Sequence, residues 1–85
     1  MTYKIFIEKP AQKSLSRIPS VYQDRIISAI QALAKNPRPA GCKKLSGREA
    51  WRIRIGNYRV IYEIHDDRLI ILVIVIGHRK DIYRG

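Results

Sequence analysis

Trp51-Arg52-Ile53-Arg54-Ile55-Gly56-Asn57-Tyr58-Arg59-Val60-Ile61-Tyr62-Glu63-Ile64 is the stretch that decides the fold. Trp51, Ile53 and Ile55 alternate with Arg52 and Arg54, the period of a strand with one apolar and one polar face. Gly56-Asn57 is a turn signal, and Tyr58 to His65 reads as the next strand. Asp66-Asp67 marks a second turn. The run from Leu69 to Ile76 is continuously apolar and rich in β-branched residues, which predicts a central strand buried on both faces. Strands joined by turns this short make an antiparallel meander.

Upstream of the meander, residues 37 to 48 hold Pro37, Pro39, Gly41 and Gly47 and read as a loop, with Leu45 as its anchor to the core. Before that loop, Tyr22, Ile26, Ile30 and Leu33 recur at spacings of four, four and three, the stripe of an amphipathic helix. Asn36-Pro37 stops it, because a residue preceding proline is pushed out of the α region. Ala11, Leu15 and Ile18 form a similar stripe after Pro10, and Pro19 separates the two helices. Residues 3 to 7, Tyr-Lys-Ile-Phe-Ile, are strand formers, expected to pair beside the long central strand. The predicted fold is α+β, a single domain over residues 1–85 in the order β-α-α-β-β-β. A two-helix hairpin covers one face of an antiparallel sheet, and the other face stays open.

Composition narrows what that open face can do. The chain has 85 residues, with 17 Lys plus Arg against 7 Asp plus Glu, a net charge of +10. Such a balance points to a polyanionic partner, because self-repulsion otherwise destabilises a small fold. A single cysteine, Cys42, excludes an internal disulfide and a cysteine-based zinc site. The first residues lack the pattern of a secretory signal, and Leu69 to Ile76 is far short of the ~20 residues that span a bilayer as a helix. The expected location is therefore cytoplasmic, with no membrane partner.

Arg52 and Arg54 project from one face of their strand. Lys43, Lys44, Arg48, Arg52, Arg54 and Arg59 concentrate charge there against one acid, Glu49, while His78, Arg79, Tyr83 and Arg84 follow the last strand. Arginine forks bind phosphate oxygens bidentately. A histidine titrates near neutrality and a tyrosine can stack on a base or exchange a proton. Such a set can cleave a phosphodiester with the 2′-hydroxyl as nucleophile. The same residues also fit a plainer role: Arg52 and Arg54 as the solvated side of a strand, Arg59 paired with Glu63, His78 in a loop and Tyr83 on the core edge. Trp51 reads as core, His65 as surface, Cys42 as inert and Asp66-Asp67 as turn formers.

Lys44-Leu45-Ser46-Gly47, the stretch from Trp51 to Ile64, and Gly77-His78-Arg79-Lys80-Asp81-Ile82-Tyr83-Arg84 together resemble the RelE toxins of bacterial and archaeal toxin–antitoxin modules, within the RelE/ParE superfamily. The resemblance spans the whole chain. It implies a ribosome-dependent mRNA endonuclease that cuts the codon in the ribosomal A site, uses no metal or other cofactor, and is held by a cognate, RelB-like antitoxin in a heterotetramer. It assigns Arg52, Arg54, Arg59, Arg79 and Tyr83 to the active site. Where some family members carry lysine, this chain has Arg52 and Arg54, and an arginine cannot serve as a base. Proton transfer then falls to His78 or Tyr83. The spacing from Arg79 to Tyr83 is shorter than in some members. The alternatives within the same fold are a ParE-like inhibitor of DNA gyrase and a catalytically inert module that binds RNA or antitoxin.

Overall fold

The computed structural model describes residues 2–47 and 49–78. The elements are β1 (Lys4–Ile7), α1 (Lys9–Ser16), α2 (Ser20–Ala32), β2 (Lys43–Lys44), β3 (Ala50–Ile55), β4 (Tyr58–His65) and β5 (Ile70–His78). Two helices pack on a five-stranded sheet of order β1-β5-β4-β3-β2, an α+β fold. The meander β3–β4–β5 is antiparallel. β1 lies beside β5, as the sequence predicts, but runs parallel to it, so the sheet is mixed. A hairpin cannot join parallel neighbours, and here the rest of the chain intervenes between them.

Residues 43 and 44 are a correction to the predicted loop, since they form β2 against Arg52 and Trp51. Two exposed lysines carry no alternation, so this strand exists only through its tertiary neighbour. The Leu45 N–H donates to the Ala50 carbonyl at 2.9 Å and extends the pairing. A short lysine strand also discourages further strands from adding to that margin.

Pro10 sits in the first turn of α1, where a missing N–H costs nothing. Ala11 and Ile18 are buried, and Leu15 packs beside them. Pro19 occupies the N-cap position of α2. Ile26, Ile30 and Leu33 face the sheet and are buried, whereas Tyr22 stays at the surface. Its ring leans on Tyr58 of β4, with centroids 5.2 Å apart. The helix stripe meets Ile53, Val60, Tyr62, Ile71, Val73 and Ile76 from the sheet. Tyr62 is fully buried, and its hydroxyl donates to the Pro37 carbonyl at 2.7 Å, fastening the segment after α2.

β5 departs from the predicted strand in two ways. Only Ile71, Val73 and Ile76 are buried, so the helices cover one of its faces and the other is half-buried. A bulge also breaks its register, because Ile61 faces Val75 but Tyr62 faces Val73. The helix-side series therefore steps from Val73 to Ile76 and then His78. An unbroken alternation would have put His78 on the opposite face.

Candidate functional site

The face of the sheet away from the helices carries the arginines. Arg54 lies directly opposite Arg59 on the neighbouring strand. Arg52 faces Ile61 two positions further along the same face. On its other side Arg59 faces Gly77. Arg54 is exposed and Arg52 half-buried, while Arg59 is only 3 % exposed. Ile61 and Ala50 are also buried, outside the helix-side core. Like charges in register destabilise a sheet, so this face trades stability for a concentrated positive field.

Lys43 is in register with Arg52 and extends the basic face to the sheet margin. Lys44 is in register with Trp51, and its ammonium meets the Glu49 carboxylate at 3.4 Å. Glu63 contacts His65 Nε2 at 3.0 Å. His78 is not brought to the arginine face. It is in register with Tyr58, and the two rings meet edge to face at 5.6 Å. Arg48, Arg79, Tyr83 and Arg84 lie outside the described residues.

The sequence pattern missed a second cluster, at the end of the sheet where β3 turns into β4. A cleft of about 370 Å³ opens there between α1 and the end of β5, lined by Ser14, Arg17, Tyr58 and His78 among others. A shallow surface between α2 and the end of β3 is lined by Asp24, Arg25 and Arg54. No periodicity marks Arg17 or Arg25, and Tyr22 is part of a helical stripe, so only the fold reveals their proximity.

The opposite end of the sheet is built differently. The Tyr3 hydroxyl donates to Asp66, and Arg38 Nη2 donates to the other Asp66 oxygen at 2.9 Å. The Arg38 guanidinium also lies 5.0 Å from the centroid of the Trp51 ring. Hydrogen bonds from Arg38 and Tyr3 hold the Asp66 carboxyl below the usual carboxylate range. The bond to Asp66 pushes the Tyr3 phenol up, and burial pushes the Tyr62 phenol up. These groups tie the segment after α2 to β1 and to the β4–β5 turn.

The family described as the ParE toxin of the type II toxin–antitoxin system parDE matches residues 5–83. The chain belongs to the RelE/ParE toxins of type II toxin–antitoxin systems. The putative toxin RelE1 of Methanocaldococcus jannaschii is 32 % identical to it, over 100 % of this chain and 99 % of the relative. Toxin RelG of Mycobacterium tuberculosis is 28 % identical over 99 % of each. Among solved structures, the archaeal RelE–RelB complex from Pyrococcus horikoshii superposes with a TM-score of 0.83 at 29 % identity, covering 93 % of this chain and 97 % of its counterpart. The family model carries the ParE name and these relatives the RelE name. The toxin thus has a RelE-like fold whose helix-free face bears Arg52, Arg54 and Arg59. Among its described residues no helix is long and apolar enough to cross a membrane.

Proposed function

We propose that this toxin is an endonuclease that cuts mRNA in the A site of the ribosome, through attack of the 2′-hydroxyl on the adjacent phosphate and without a metal ion. The observation that carries the reading is the pairing of Arg54 with Arg59 across adjacent strands, with Arg52 on the same face. Three guanidinium groups in that arrangement suit the charge that builds on a pentavalent phosphate. In the step itself the 2′-oxygen bonds to phosphorus and the bond to the 5′-oxygen breaks. The proton of the 2′-hydroxyl passes to a base, and the leaving oxygen takes up a proton, giving a 2′,3′-cyclic phosphate and a 5′-hydroxyl. Because His78 is in register with the helix-side residues, Tyr83 is the better proton carrier of the two. Arg79 completes the phosphate site in this reading, and Lys43, Lys44, Arg48 and Arg84 add sequence-independent contacts to the RNA backbone.

The RelE relatives favour this reading over a gyrase poison, which would have no use for an arginine cluster facing a single phosphate. A RelB-like antitoxin, acidic where it meets the arginines, would neutralise the face in a resting cell, as a toxin–antitoxin heterotetramer. In vitro translation followed by primer extension tests the proposal. The expected result is a cut within the A-site codon that needs ribosomes and leaves a cyclic phosphate. Arrest of DNA gyrase with translation intact would overturn it in favour of the ParE-like activity. Salt-sensitive RNA binding with no cut would leave only an inert binding module.

A further inference from the structure

The cleft at the β3–β4 end has the chemistry of a nucleotide pocket rather than of a packing defect. Its volume, about 370 Å³, is that of a small-ligand site. The hydroxyl of Ser14 and the guanidinium of Arg17 line it together with the rings of Tyr58 and His78. Those rings belong to a longer run, Tyr22 on Tyr58 at 5.2 Å and Tyr58 on His78 at 5.6 Å. Contact among them fixes the aromatic surface before any ligand arrives. Tyr22 keeps 36 % of its surface exposed, so the run ends on a ring open to solvent. Gly56 brings the hairpin tip close to Tyr22, where an added Cβ would stand 3.6 Å from the ring, an ordinary van der Waals contact. At the same hairpin end of the sheet, Asp24, Arg25 and Arg54 line a second, shallow surface. Alternation of exposed rings with arginines is how single-stranded nucleic acid is gripped without reading its sequence.

We propose that one unpaired nucleotide of the RNA beside the cleavage site sits here, its phosphate on Arg17 in the cleft and its base on the exposed ring of Tyr22, which adjoins the cleft through Tyr58. The proposal rests on the RNA-cleaving reading above and adds to it a subsite on the other side of the sheet from the arginines. Tyr58 and Arg59 are consecutive residues facing opposite sides of β4, so one strand would serve both subsites as the RNA rounds the hairpin. A 2′-O-methyl oligoribonucleotide lacks the attacking hydroxyl and reports binding without cleavage. With 2-aminopurine moved along it one position at a time, the full-length toxin should quench fluorescence at one position. Tyr22→Ala should weaken binding about 5- to 150-fold and lose that quenching. Arg17→Ala should reduce the slope of log affinity against log salt by about 0.7. Arg68→Ala, at the far end of the sheet, removes the same charge and should change neither. Tyr22 and Arg17 are at the surface, and unchanged circular dichroism would show that both variants fold. The proposal is overturned if RNA affinity and quenching are the same in Tyr22→Ala and Arg17→Ala as in the parent. It is also overturned if poly-glutamate competes for the cleft as well as RNA does, which would make it a peptide site. Quenching without ribosomal cleavage would refute the nuclease reading and leave the cleft standing. Cleavage whose rate and position ignore both variants would refute the cleft alone.

Discussion

The two ends of the sheet are closed by turns built from opposite chemistry. At the β4–β5 end, Arg38–Asp66 and Lys44–Glu49 are ion pairs, and the Glu63 carboxylate contacts the His65 ring at 3.0 Å. The Arg38–Asp66 pair, with Tyr3 donating to the same carboxylate, ties the segment after α2 and the residue before β1 to the turn. At the β3–β4 end, Arg54 and Arg59 stand side by side, and Arg17 and Arg25 line the cleft and the shallow surface there. One end places opposite charges together and the other places like charges together. Like charges cost stability, and a bound phosphate would offset that cost. If the proposed function holds, the β3–β4 end is the ligand end and the β4–β5 end is structural, and removing charge should stabilise the first and destabilise the second.

The largest effect is expected at Arg54. Arg54→Gln keeps a polar side chain, shorter than arginine, and removes a charge facing Arg59. Ribosomal mRNA cleavage, followed by primer extension, should fall at least about 100-fold. Stability in urea should rise by about 0.2 to 1 kcal/mol, the scale of a cross-strand charge pair. A variant that keeps its activity and loses stability would reverse the roles given to the two ends.

Tyr62 tests the structural end from the inside. Its buried hydroxyl reaches the Pro37 carbonyl at 2.7 Å. Tyr62→Phe deletes that bond, leaves the carbonyl to find another partner, and should cost about 1 to 2 kcal/mol. Cleavage at the folding plateau should be unchanged, because nothing on the arginine face moves. Loss of cleavage in a folded Tyr62→Phe variant would show that the two ends are coupled.

The turns themselves show what a sequence can and cannot reveal. Gly56 has φ +61, the left-handed region that glycine enters freely. Gly56-Asn57 was legible for that reason, and so were the alternating strands on either side of it. Gly56→Ala should cost about 1 kcal/mol through the backbone, because the space for a methyl group exists. The other turn places Leu69 at φ 54, and no glycine announces it. Read by hydrophobicity, Leu69 opens the strand, whereas β5 starts at Ile70. The same limit hid the bulge at Ile61 and Tyr62, since every residue from Leu69 to Ile76 is apolar and none marks a change of phase. That bulge alone decides which side His78 takes. Arg52, Arg54 and Arg59 were legible as a shared face because they flank a hairpin of fixed register. Arg17 and Tyr22 were not, because their approach to Tyr58 and His78 depends on how the helices dock.

The smallest effect is expected at Asp66, and its value lies in its pH dependence. The carboxylate is exposed, so salt and solvent weaken its bonds to Arg38 and Tyr3. Its pKa is held below the ordinary value, first by the hydrogen bond from Arg38 and next by that from Tyr3. A depressed folded-state pKa means that the charged form favours the fold. That contribution is fully present above the unfolded pKa of about 3.9 and disappears as pH falls through the lower folded value. Asp66→Asn should therefore melt slightly below the parent at about pH 7, and the gap should close as the carboxylate of the parent is protonated. Thermal melts of both proteins across that range would show it. At the other end, Arg54→Gln should show no such closure, because arginine keeps its charge throughout. If the Asp66→Asn difference persisted after protonation, the Arg38–Asp66 contact would owe its effect to packing of the Arg38 stem on Trp51 and not to charge.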